Sequence, residues 1–447
     1  MSGMFRSMTQ INFRIWFVGA FVSNVGGWMQ STAQSWVVLT ELTNFDATAV
    51  GLTMALQFGP PLLLAGPTGW VADRFNRRIT LIITQTLQGL LALALGVLLL
   101  SGHANIWQMY VFALIFGVVN AFDMSSRQAF VNDLVGKAHI SNAVALNAAS
   151  FNAARLIGPV AAGLLLAVTS SGWVFLINAA TFVAVIAALM MLRTSELNVV
   201  DRPSKRVSMS EGFGYVRKRS DIIVVLILVF LVGAFGMNFP IFSSTMAVAF
   251  GRGAETFGVL SSVLAVGSLT GALLTARRER ARLGVVVAAA AGVGLASLGL
   301  ALAPTVELFA IISVLMGFSV VTMMTTANGY VQTTSEPRIR GRVVAIYVAL
   351  MVGATPIGAP IVGWVAQAAG PRWALGVSAA AGIIAALIGL GWLIIARGLA
   401  VHRHPVKRWA LTVSTNPGHG LPVAPVTSPV SVVTENITEP SLDPDDR

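Results

Sequence analysis

Apolar residues run uninterrupted by charge for twenty or more positions at a time, and this restricts the chain's folding more than any other feature. Residues 81–100 and 222–249, for example, contain no Asp, Glu, Lys or Arg. A helix needs about 20 mostly apolar residues to cross the hydrocarbon layer of a bilayer. Backbone groups in that layer have no water to bond, so each run is expected to satisfy its own hydrogen bonds as a helix. Charged residues make up 11% of the 447 and mean hydropathy is +0.78; a soluble domain is about 25% charged. A water-soluble enzyme, a disordered chain and a collagen-like chain are all excluded.

The runs predict twelve spans, at 13–39, 48–72, 78–101, 105–124, 141–168, 173–193, 222–249, 256–276, 284–303, 307–332, 342–368 and 373–396. The first is too long for a cleaved leader and is interrupted by Asn24, Gln30 and Gln34, so it is expected to remain. One set of alternate loops holds Arg74, Arg77 and Arg78, then Arg127 and Lys137, then six cations between 202 and 219. The same set continues with Arg277, Arg278, Arg280 and Arg282, then Arg338, Arg340 and Arg342. The other set holds only Arg252 and Arg372. By the positive-inside rule both termini are cytoplasmic. The net charge of +11 is spread between spans, not gathered on one face as a nucleic-acid binder requires, so no nucleic-acid partner is expected. There is no cysteine, and the five histidines fall in loops or the tail, so no metal site is expected.

The polar segment 194–221 divides the spans six and six. Within it Ser208 and Glu211 fit a capping box, which predicts a short helix lying against the membrane. The expected organisation is therefore an N-terminal bundle over 1–193, a cytoplasmic central loop over 194–221, a C-terminal bundle over 222–397 and a disordered cytoplasmic tail over 398–447. The halves also share landmarks. Ile157-Gly158-Pro159 with Gly163 recurs as Ile357-Gly358-Ala359 with Gly363, an offset of 200, and Gly69 matches Gly271, an offset of 202. Chance matching of glycine-rich helices is the bland alternative. A duplicated six-helix unit implies a pathway between the halves.

After the second span the chain reads Gly69-Trp70-Val71-Ala72-Asp73-Arg74-Phe75-Asn76-Arg77-Arg78. This resembles the G-x-x-x-D-R-x-G-R-R signature of the major facilitator superfamily. Asn76 replaces the second glycine, and Asn tolerates left-handed backbone angles. Asn12-Phe13-Arg14, Ser125-Ser126-Arg127-Gln128-Ala129-Phe130-Val131 and Ala154-Arg155-Leu156-Ile157-Gly158-Pro159 are similar to the bacterial enterobactin-exporter-like and macrolide or multidrug efflux permeases. The resemblance implies an all-α membrane fold of twelve helices in two pseudo-symmetric six-helix bundles. It also implies a switch motif at Gly69, Asp73, Arg74, Arg77 and Arg78. There Asp73 meets the N-terminus of the eleventh span near Arg342 when the cytoplasmic side is closed, and leaves it on inward opening. Anchoring of topology is an equal reading for Arg77 and Arg78. Gly158, Pro159 and Gly163 match the end of the family's antiporter motif, without its upstream glycines, or else mark a kink and close packing.

Two ionisable residues lie inside spans, Asp123 and Arg155. Each costs about 2.5–3.5 kcal/mol at a helix centre, so they are expected to pair across the fourth and fifth spans. The pair is either static or a proton-exchanging site at Asp123. Asn24, Trp28, Gln30 and Gln34, with Asn238, Phe239, Thr322 and Thr326, are candidates for the substrate pathway, although each could simply bond helix to helix. The expected activity is secondary active export of an amphipathic small molecule, a drug or siderophore, by alternating access. Protons are the coupling partner, the proton gradient is the energy source and no cofactor is needed. The protein is expected to be no enzyme but a multi-pass monomer among the lipids of the bacterial cytoplasmic membrane. Import of a polar solute, an intramembrane enzyme and a scaffold remain the alternatives.

Overall fold

The computed structural model describes residues 3–136, 139–197, 209–278, 281–397, 399–403 and 411–415. The first half is built from α1 (Ile11–Thr40), α2 (Ala47–Leu63), α3 (Ala65–Arg74), α4 (Arg77–Leu100), α5 (Ile106–Asp133), α6 (Ile140–Val168) and α7 (Ser171–Met191). A short α8 (Met209–Arg217) follows, then α9 (Ser220–Phe235), α10 (Phe239–Ala249), α11 (Ala254–Ala276), α12 (Leu283–Leu302), α13 (Val306–Thr334), α14 (Arg340–Ala369) and α15 (Pro371–Arg397). Among the described residues ten helices are long and apolar enough to cross a membrane, counting α9 with α10 as one, and α2 with α3 makes an eleventh. The 30-residue α1 is the remaining long helix; its buried Asn12, Gln30, Thr32, Gln34 and Ser35 make it more polar than the others.

Local chemistry sets the boundaries. Asp46 caps α2 by accepting from the Thr48 and Ala49 amides, and Asn105 with Gln108 forms a capping box on α5. Asn76 is extended, at φ −67° and ψ 113°, and caps α4 through the Arg78 and Ile79 amides. It is therefore kept there as a cap, not for left-handed freedom. The second span is two helices bent by 57° just after Pro60-Pro61, because proline removes a backbone donor and crowds the preceding turn. The seventh span breaks at Gly236-Met237-Asn238, ahead of Pro240 in the first turn of α10. The fourth span reaches Asp133, well past the expected 124.

The helices form two six-helix bundles. Here α1 packs on α6 and α7, and α4 on α5 and α7, while α9 packs on α14 and α11 and α12 both pack on α13. Two seams join the bundles, α2 with α14 and α6 with α11. Their glycines show the duplication directly. A Cβ on Gly51 of α2 would strike the Ala359 carbonyl of α14, and one on Gly258 of α11 would strike the Pro159 carbonyl of α6. Gly363 likewise abuts Ala47, and Gly163 lies against Ala254 and Gly258. The matched segments of the repeat thus make matched contacts, each crossing to the opposite bundle. Gly158 and Gly358 instead face their own halves, against Trp28 of α1 and Ala234 of α9 respectively.

Beyond α15 the expectation of an unstructured tail is corrected for two stretches. Strands β1 (Leu399–Arg403) and β2 (Leu411–Thr415) pair antiparallel, with Val401 opposite Val413. The rest of the tail, and Ser208 of the proposed capping box, lie outside the described residues.

Candidate functional site: a cavity between the bundles

The helices define a near end, where α1 begins and α8 lies, and a far end at the α1–α2 and α10–α11 turns. The close contacts of Gly51, Gly163, Gly258 and Gly363 lie toward the far end, and the α2–α14 seam continues to about mid-depth, where Gly353 meets Leu62. Ser262 also donates to the Leu156 carbonyl at 2.8 Å, and the Ala47 amide donates to Gln367 at 3.0 Å. The far-end half of the seventh span, α10, packs on α1 and α2, and Trp36 stacks on Phe257 at 5.8 Å. Toward the near end, Gly267 and Gly271 of α11 contact α13 of their own bundle, and α3 packs on α5. The molecule is thus sealed at the far end.

Inside that seal lies a cavity of about 320 Å³, within the usual range of ligand sites. Its wall is mostly apolar and aromatic, with Trp28, Phe58, Phe151, Phe239 and Phe257 supplied by α1, α2, α6, α10 and α11. Most of the polar wall groups are Ser and Thr hydroxyls, beside Gln34, Gln57 and Arg155. Gln34 donates to Gln57 at 2.9 Å, and its own Oε1 is buried without a partner. Among the described residues Arg155 is the one charged residue in the wall. Its guanidinium lies 5.4 Å from the centre of the Trp28 ring.

Of the residues expected along the pathway, Trp28, Gln34 and Phe239 line this cavity. Gln30 instead accepts from Asn178 at 2.6 Å, tying α1 to α7. Asn238 is fully buried and donates to the Ala234 carbonyl at the helix break. Thr322 and Thr326 are buried in α13 with unpartnered hydroxyls and are outside the wall. Asn24 accepts from Arg127 at 3.3 Å. Sequence reasoning missed Gln57, Phe151 and Phe257, whose helices contribute through tertiary placement alone.

The expected Asp123–Arg155 pair does not form. Asp123 is 3% exposed, and its carboxylate accepts from Thr84 at 2.8 Å, Gln85 at 2.6 Å and Arg127 at 3.0 Å. Arg127 lies one turn on in the same helix, a spacing that favours pairing, and it also stacks over Trp16 at 5.5 Å. Because α5 continues past Asp123, the acid has a cation within its own helix and needs none from α6. That i, i+4 spacing was the sequence signal for the true partner.

The switch motif lies at the near end. Arg77 donates to both oxygens of Asp133 at 2.7 and 2.9 Å and to the Ala72 carbonyl at 3.1 Å. Arg78 donates to the Leu189 and Met190 carbonyls at the end of α7, where a cation also suits the helix dipole. Arg74 stacks on Trp70 at 5.6 Å. Gly69 has open space around it, and Asp73 is exposed and makes no ion pair among the described residues. The acid at Arg342 is Glu211 of α8. This bond and nearby Arg338 hold the Glu211 carboxyl below its ordinary value. Asp73 therefore does not meet the start of α14 in this far-end-sealed state.

Comparison with known proteins agrees with this architecture. Residues 2–419 match the family model described as transmembrane secretion effector. The chain is 25% identical over 352 residues to the staphyloferrin A transporter of Staphylococcus aureus, covering 77% of this chain and 87% of that one. It is 27% identical over 365 residues to the multidrug efflux pump Tap of Mycolicibacterium fortuitum, covering 78% and 88%. A solved bacterial homologue of the human lysosomal transporter Spinster, in an inward-facing and unoccupied conformation, superposes with a TM-score of 0.67 at 14% identity. That match covers 85% of this chain and 96% of the other.

Proposed function

From the premise that this chain belongs to the transmembrane secretion effector family, and is a multi-pass transporter of the major facilitator superfamily, we propose that it exports an amphipathic small molecule by alternating access. The carrying observation is the aromatic cavity between two bundles, sealed at one end by repeat-related glycine seams. The near end is the cytoplasmic one in this reading, because its loops hold nearly all the cations between spans while the far end holds only Arg252 and Arg372. The described state then faces inward and loads from the cytoplasm of a bacterial cell. Rocking of the bundles would part the far-end seams, close the near end and bring Asp73 to the start of α14. A drug-like or siderophore-like substrate fits the wall, and the names of the two relatives point the same way. The proton gradient supplies the energy, and the protein acts as a monomer.

The test measures accumulation of candidate substrates in cells with and without the protein, before and after an uncoupler collapses the gradient. Lower accumulation that vanishes with the uncoupler is expected. Higher accumulation in expressing cells would reverse the direction, and a difference insensitive to the uncoupler would sever the proton link.

A further inference from the structure

A cation at mid-membrane depth is expensive to insert and is ordinarily held by an acid or by backbone carbonyls. Arg155 has neither. Its guanidinium makes no hydrogen bond or ion pair among the described residues, and no Asp or Glu lines the cavity it faces. Its one contact of that kind is the face of Trp28, which in turn meets Phe151 edge-on at 5.6 Å. The backbone builds this stack. Gly158, three residues after Arg155, lets α6 approach α1 so closely that an added Cβ would lie 2.5 Å from the Trp28 Cβ. The indole is thereby held beside the guanidinium. A cation–π contact uses none of the fork's five N–H donors, whose geometry matches a carboxylate.

The surroundings suit the remainder of such a ligand. Gln34 leaves an unpartnered acceptor in the wall, and Met54, Met237 and Met316 add adaptable apolar surface. An amphipath bearing a carboxylate would neutralise the lone cation, whereas an amine of equal size would leave it unpaired and add a like charge.

We propose that Arg155 is the anion seat of the cavity, so that the transported amphipath carries a carboxylate whose oxygens take the guanidinium fork while its apolar body lies along the aromatic wall. This rests on the transport reading above and narrows its substrate class. Charge sign, more than shape, then sets selectivity, because an amine would meet the unpaired cation with a like charge.

The test uses the purified full chain in phosphatidylcholine nanodiscs and three matched probes, 6-phenylhexanoate, 6-phenylhexanamide and 6-phenylhexylamine. Binding is read by equilibrium dialysis against empty discs. The carboxylate is expected to bind at least tenfold more tightly than the amide, with the amine weakest. Arg155→Gln should bind carboxylate and amide alike while keeping the parent's amide affinity, which also shows that it folds. Arg155→Lys should recover part of the preference. Equal binding of all three probes, an amine that binds best, or a carboxylate preference surviving Arg155→Gln would overturn the assignment and leave the transport reading standing. Failure of every probe to bind the parent protein would remove the amphipath cavity itself, and both readings with it.

Discussion

Gly51→Ala probes the alternating-access reading at one atom. The new methyl group points at the Ala359 carbonyl, with the Ala359 carbonyl carbon 2.8 Å and the Pro360 Cα 3.0 Å away. Backbone cannot swing aside as a side chain can, so the α2–α14 seam must part at that level. Overpacking of this kind costs about 1–3 kcal/mol. In the alternating-access reading the seam is shut only in the far-end-sealed state, so the penalty should fall on that state and shift the equilibrium by roughly 5–150-fold toward far-end opening. The chain has no cysteine, and spin labels at Val144→Cys and Leu274→Cys would report near-end separation without background. Both sites are exposed, toward the near ends of α6 and α11. Gly51→Ala should enrich the short-distance population, and Gly258→Ala, on the other seam, should do the same. Gly358→Ala is the control, since its methyl would meet Ala234 within one bundle; it should lower the melting temperature without moving the distances. An unchanged distribution in Gly51→Ala, or an equal shift in Gly358→Ala, would refute the reasoning.

Asp123→Ala leaves the half-buried Arg127 guanidinium with only Asn24 as a polar partner among the described residues and should cost about 1–3 kcal/mol, visible as a lower melting temperature; Asp123→Ala with Arg127→Ala should recover most of the loss. Arg77→Lys loses the Nε bond to the Ala72 carbonyl while a single ammonium faces Asp133, between side chains only 18% and 7% exposed, and should cost about 1 kcal/mol, read in the same melts. Glu211→Gln should loosen α8 from Arg342 and speed hydrogen exchange over residues 209–217. Because Arg342 lowers the Glu211 pKa from its ordinary 4.5, that contact should persist at neutral pH. It should be lost only as pH falls below 4.5 and through the lowered value.

The helical membrane fold was legible because a bilayer leaves an apolar run of this length one way to satisfy its backbone, whatever its neighbours do. The G-x-x-x-D-R motif and the 200-residue echo of Gly158 and Gly163 were equally visible, because both are patterns of residue order that need no packing to be read. The breaks were signalled by Pro60-Pro61 and Pro240, but their angle depends on packing. Partner choice for Asp123 turned on how far α5 extends, and the choice among Gln30, Gln34 and Gln57 turned on which helix faces met. Those decisions rest on distances between groups far apart in the chain, down to the meeting of Trp28 and Arg155 through Gly158. Residue order determined that this chain must cross the membrane many times. Only the packed bundles decided which of its few polar groups bond to one another and which is left open to the cavity, because hydrogen bonding and ion pairing act over ångströms.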